Sequence, residues 1–211
     1  MIIAIESASS DPSLALASAE GVVLASDSWA GEGRQASELL PRLLLLLGRA
    51  GRDLREATAL AVGVGPGSFT GLRVSMSLAK GIALALRLPV VGIPSLEAWL
   101  EAEPGAAAAV SRAGAHDAYL LTRGETEPRM VAAADLRALV GGLALSAPSE
   151  LALAFELSGT LPPRGAAAAI ARLAAARLAQ DPAGDDLERL EPWYVQAPRG
   201  VPAAEAVSRW P

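Results

Sequence analysis

Leu60-Ala-Val-Gly-Val-Gly65-Pro-Gly-Ser-Phe-Thr-Gly-Leu-Arg73 is an apolar run that breaks at Gly65-Pro66-Gly67 and resumes at once in helix-forming residues, which continue to Leu86. A buried strand feeding a helix through such a bend is the signature of an α/β chain. Glycine enters positive φ freely, and proline stiffens the turn. Two uses follow for Gly65, Gly67 and Ser68: a strand-to-helix turn that the fold needs, or an N–H-lined bend that contacts a nucleotide or a partner. The fold reading is preferred, because no lysine or paired carboxylate stands close enough to complete a phosphate site. Lys80 lies too far along for a Gly-x-x-x-x-Gly-Lys loop.

Working outward, Ile2–Ser7, Ser13–Ser18 and Val22–Trp29 read as a meander of three strands. A helix capped by Ser37 continues to about Arg49, with Pro41 early in it. Thr58–Val64 is a fourth strand, Thr70–Leu86 a helix, Pro89–Ile93 a fifth strand, and Pro94 opens a third helix. The order βββ-α-β-α-β-α predicts a mixed sheet with helices on its faces. Glu103-Pro104-Gly105 is the expected boundary, giving a lobe at 1–104 and a smaller one at 105–211. In the second part, Ala107–Ser111 and Asp117–Arg123 read as paired strands. Asp135–Val140 reads as a helix, Leu143–Leu145 and Leu151–Ala154 as short strands, and Gly165–Gln180 as an alanine-rich helix. Glu191–Gln196 is expected to be extended, and no repeat of fixed period is visible.

Two helices carry more apolar surface than one core requires. Leu39, Leu40, Leu43, Leu44, Leu46 and Leu47 cover an arc of roughly 160° at about 100° per residue, against somewhat over 100° for a helix on a single core. The helix at 70–86 is apolar or small almost all round, with Arg73, Ser77 and Lys80 as its polar line. Deep burial in one lobe is one explanation, and a partner surface is the other; the stripe width favours the partner. The expected interface residues are Leu39, Leu43, Leu46, Leu47, Arg73, Val74, Leu78, Lys80 and Ile82.

Composition excludes several chemistries. Of 211 residues none is cysteine and one, His116, is histidine. Thiol catalysis and Cys-ligated zinc are therefore ruled out, and a histidine-based triad has little material. His116 is expected in a solvated turn. Glu6 is a lone carboxylate at a strand end, short of the oxygen ligands that magnesium takes. The net charge of −5 comes with no basic stripe for nucleic acid. Trp99, Trp193 and Trp210 read as packing anchors, since no basic residues interleave with them. Leu43–Leu47 is too short to span a bilayer, and Met1-Ile-Ile-Ala-Ile5 carries no leader pattern, so a cytosolic chain without a membrane partner is expected.

The block Gly65–Arg73, with Ala79-Lys-Gly81 and Pro94-Ser-Leu-Glu97, resembles the TsaB (YeaZ) family. Ile2–Ser7, Ser37-Glu-Leu-Leu-Pro41 and Pro192-Trp-Tyr194 resemble its opening strand, first helix and close. The resemblance is strong over residues 1 to about 100 and thin beyond. It implies an actin-like ATPase fold of two ribonuclease-H-like lobes. It also implies a non-catalytic subunit whose long helices dock on a TsaD-like catalytic subunit, and through it a TsaE-like ATPase, for threonylcarbamoyl transfer to tRNA. The same helices can pair two copies when the chain is alone. ATP and a metal are expected on TsaD, and no cofactor or metal on this chain. The family's Asp-Thr-Ser turn is Glu6-Ser7-Ala8 here, its histidine before Ser-Glu is Ala36, its Asp-Ala-Arg is Arg112-Ala113-Gly114, and its closing arginine is Gln196. The alternatives are an ATPase or kinase on the same fold, which would need a phosphate turn in each lobe, and a glycoprotease-like enzyme, for which no serine has a clear base.

Overall fold

The computed structural model describes residues 1–31 and 33–193. Tyr194, Gln196 and Trp210 lie outside the described residues. The first half runs β1 (Ile2–Glu6), β2 (Ser13–Ala17), β3 (Val23–Ser28), α1 (Gln35–Arg49), β4 (Ala59–Gly65), α2 (Phe69–Leu86), β5 (Val90–Pro94) and α3 (Ser95–Ala102). The second half runs β6 (Ala108–Arg112), β7 (Asp117–Thr122), β8 (Arg129–Ala132), α4 (Ala133–Val140), β9 (Leu145–Ser146), α5 (Ser149–Ala154), β10 (Thr160–Leu161) and α6 (Ala166–Gln180).

The two sheets have the same topology. The first is ordered β3-β2-β1-β4-β5 and the second β8-β7-β6-β9-β10. In each, the meander is antiparallel and the last two strands join in parallel. This is the two-lobed, ribonuclease-H-like arrangement of the actin-like fold. The duplication is legible in topology although the sequence shows no period.

Alternation along the first sheet sorts its side chains into two cores. Ile3, Ile5, Leu14, Leu16, Leu60 and Val62 face α1 and α2. Ile2, Ala4, Ala15, Ala17, Ala59 and Ala61 face α6, which meets them with Ala167, Ala171, Ala174 and Ala175. Alanine on both sides lets the helix lie close. The boundary at Glu103-Pro104-Gly105 therefore does not divide the packing: α6, well inside 105–211, closes the first sheet. Trp99 of α3 is fully buried beside Ala109 and Tyr119 of the second sheet. The chain then returns along β5, where Asp185 accepts from the Gly92 N–H at 2.7 Å and Arg177 donates to the Gly92 carbonyl.

Three expectations need correction. α1 begins at Gln35, and Ser37 donates to the Arg34 carbonyl instead of capping the helix. Leu151–Ala154 is helical, because a short apolar run has no period of its own. Leu143 and Ala144 precede β9, which holds two residues. β8 and β10 leave no mark in the sequence pattern: only Val131 of β8 is buried, so its run carries no alternation, and β10 holds two residues.

Candidate functional site

The Gly65–Gly67 bend is held from within. Gly65 N–H donates to Ser95 Oγ at 3.0 Å, and Ser68 N–H donates to the Ala8 carbonyl at 2.6 Å. Ser68 caps α2 by accepting from Gly71 N–H at 3.2 Å. A Cβ on Gly67 would sit 2.3 Å from the Ala8 carbonyl oxygen, so this glycine permits two turns to touch. The N–H groups of Gly65 and Ser68 are thus used by the fold. This use accords with the preferred fold reading of the bend, and it leaves those two N–H groups out of the alternative, an N–H-lined bend open to a ligand.

Glu6 turns its carboxylate inward. It is 1% exposed; one oxygen accepts from Ala8 N–H and the other from Ser95 O–H at 2.9 Å. Burial pushes its carboxyl up to about 7, against the lowering effect of the hydrogen bonds from Ala8, Ser95 and Ser7. Gly63 makes the room: a Cβ there would lie 2.1 Å from Glu6 Oε2. Among the described residues no His, Asp and Glu gather in a group that could hold a metal. His116 is exposed in the β6–β7 turn.

The expected interface residues divide. Leu39, Leu43, Leu46, Leu47 and Ile82 are buried in the first core and cannot meet a partner directly. They form the inward half of the leucine stripe, and Val74 and Leu78 pack half-buried against the same core. Arg73 is exposed, its guanidinium 3.8 Å from the Phe69 ring centre, and Lys80 is half-buried. The exposed side of α1 carries a line of Ala36, Leu40, Leu44 and Gly48, with Ser37, Pro41, Leu45 and Arg49 exposed farther round. Period alone could not separate the two halves; the charged neighbours could. Glu38 takes the Trp29 indole N–H at 2.7 Å and Arg42 reaches Asp27 at 3.2 Å, so α1's polar side is tied to β3.

Beside that outward half runs an exposed line on α2: Thr70, Arg73, Ser77, Gly81 and Leu84. Between the helices lies a groove of about 400 Å³ lined by Leu40, Arg73, Val74, Ser77 and Leu78. Among the described residues, a Cβ on Gly81 would meet nothing within 4 Å. A mid-helix glycine costs about 1 kcal/mol relative to alanine, and no packing among the described residues requires one there. By length and composition α2 could also cross a bilayer. Leu72, Met76, Ala79 and Ala83 are nevertheless buried within the protein.

Residues 33–149, more than half of the chain, match the family model of TsaD, tRNA N6-adenosine threonylcarbamoyltransferase. The chain belongs to this family, on its TsaB (YeaZ) branch. The TsaB protein of Escherichia coli K12 is 43% identical over 58 residues, which are 28% of this chain and 25% of that protein. The TsaB protein of Haemophilus influenzae is 44% identical over 64 residues, 30% of this chain and 27% of that one. The match thus spans about a quarter of each curated relative. A Pseudomonas aeruginosa crystal structure described as similar to peptidase YeaZ superposes with a TM-score of 0.70 at 25% identity, covering 92% of this chain and 99% of the other. YeaZ from Pseudomonas aeruginosa superposes with a TM-score of 0.68 at 24% identity, a likeness of fold. The TsaB branch thus has the two-lobed fold described above.

Proposed function

We propose that this chain is a docking and activating subunit for tRNA threonylcarbamoyladenosine formation. Its outward α1–α2 face binds a TsaD-like catalytic subunit, and through it a TsaE-like ATPase. The chemistry, with ATP and a metal, belongs to the TsaD-like subunit in the cytoplasm, and tRNA is reached through the complex. Alone, the same face pairs two copies of the chain. The observation that carries this reading is the juxtaposition of exposed Leu40, Leu44 and Leu84 with Gly81, a glycine with open space above it. Apolar surface bordered by small residues lets a second helix pair approach closely and exclude water. The chain would act by contacting one conformation of its partner more favourably than another.

Reconstitution tests it. Purified chain, mixed with the TsaD-like and TsaE-like proteins of the same genome, is expected to co-elute on size exclusion and to be required for threonylcarbamoyladenosine in tRNA. Product formation at an undiminished rate without this chain, or separate elution, would refute the proposal. Chelator-sensitive cleavage of a peptide by the isolated chain would favour the glycoprotease alternative instead.

A further inference from the structure

Away from the docking face, the two halves of the chain enclose a cleft of about 350 Å³. Its walls include Ser9 from the β1–β2 turn, Ser68 at the start of α2, Trp99 of α3, Ser111 and Arg112 of β6, and Glu150 of α5. Two wall residues carry polar atoms that no described residue satisfies. Trp99 is 0% exposed and Ser111 is 1% exposed, and among the described residues neither the indole Nε1 nor the hydroxyl oxygen has a hydrogen-bond partner. A buried donor left unpaired costs about 1–3 kcal/mol, and native interiors seldom carry one without an occupant or a role.

The charges in the cleft are balanced. Arg112 and Glu150 are both exposed, one cation and one anion on the same cleft. Among the described residues Glu150 forms no ion pair. Arg112 reaches the Gly114 carbonyl only at 3.5 Å, and its guanidinium stands 5.4 Å from the Phe155 ring centre. A nucleoside triphosphate would bring several negative charges to one guanidinium while facing Glu150, which leaves most of that charge uncompensated. A ligand with one charge of each sign meets both groups. The volume lies at the small end of the range for ligand sites, about 300–1,000 Å³.

We propose that this cleft binds a small zwitterionic α-amino acid. The carboxylate accepts from Arg112, the Ser111 hydroxyl and the Trp99 indole N–H, and the ammonium pairs with Glu150. This does not rest on the docking reading, whose face lies on α1 and α2.

The test is a titration of the ¹⁵N-labelled full chain, following the Trp99 indole N–H resonance. The probes are individual L-amino acids to about 10 mM, with acetate, methylamine and ADP as separate arms. At least one amino acid is expected to move the resonance saturably, and acetate or methylamine, each carrying half of the charge pattern, to bind more weakly. Arg112→Ala and Glu150→Ala, both at exposed positions, are expected to keep a folded spectrum and to weaken binding about tenfold or more. An unmoved resonance with every amino acid, a shift with ADP alone, or unchanged affinity in both variants would overturn the proposal.

Discussion

Ser95 Oγ joins two strands of the first sheet: it donates to Glu6 Oε2 at 2.9 Å and accepts from Gly65 N–H at 3.0 Å. The end of β1, the end of β4 and the start of α3 are thereby fixed to one another by a buried carboxyl. This makes stability depend on pH. The unfolded chain releases the Glu6 proton near 4.5, while burial holds it to about 7 in the folded protein. Between those values the folded state binds more protons, so stability falls as pH rises. The full effect is about 3 kcal/mol. Glu6→Gln mimics the protonated carboxyl. It is expected to melt near the wild type at about pH 5 and above it at about pH 8. Parallel melting curves for the two proteins across that range would contradict the assignment.

Gly63 is the companion of Glu6. A Cβ at this position meets Glu6 Oε2 at 2.1 Å and Ser95 Oγ at 2.8 Å. Neither group is the loose end of a surface side chain. Gly63→Ala is expected to lower stability by about 3 kcal/mol, read by thermal or urea denaturation. In a Glu6→Ala background the nearer obstacle is gone, Ser95 Oγ remaining, and the penalty should shrink, a coupling that a double-mutant cycle measures. Equal penalties in the two backgrounds would show that the carboxylate is not what the methyl meets.

Adjacent leucines on α1 should behave oppositely. Leu43 is 0% exposed and Leu44 51%. Leu43→Asp places an unpaired charge in the core and is expected to cost more than about 4 kcal/mol, leaving the chain unfolded or insoluble. Leu44→Asp is expected to change stability by no more than about 0.5 kcal/mol yet to abolish co-elution with the TsaD-like subunit. Circular dichroism and size exclusion together separate the two outcomes.

Gly81→Ala should split stability from association. With open space above it, the added methyl stabilises α2 by about 1 kcal/mol in the isolated chain. At a close helix–helix contact the same methyl keeps the partner away, so affinity for the TsaD-like subunit should fall. A variant that gains stability and binds as before would place the contact elsewhere.

The first half was legible because its elements are long and strongly patterned. β1, β2, β4 and β5 are apolar runs bounded by turns, and α2 follows a bend quoted in full by Gly65–Ser68. The second half was obscure because β9 and β10 hold two residues each and α5 six, too few for any period to show. The width of the leucine stripe on α1 reveals its excess, but width does not say which edge faces in. The tether from Glu38 and Arg42 to β3 fixes that rotation, and it sends Leu39, Leu43, Leu46 and Leu47 inward. Glu6 as a buried, internally bonded carboxyl depends on Ser95, 89 residues away, and the cleft lined by Trp99 and Ser111 is completed by Ser9 and Ser68 from the first half and Glu150 from the second. No local signal carries either one.

Hydrogen–deuterium exchange of this chain, free and bound to the TsaD-like subunit, tests the docking face most directly, because it needs no substitution. Slowed exchange confined to peptides covering residues 36–48 and 70–85 is the predicted result. Unchanged exchange there, with new protection on β8 and α4 or along the interlobe cleft, would contradict it.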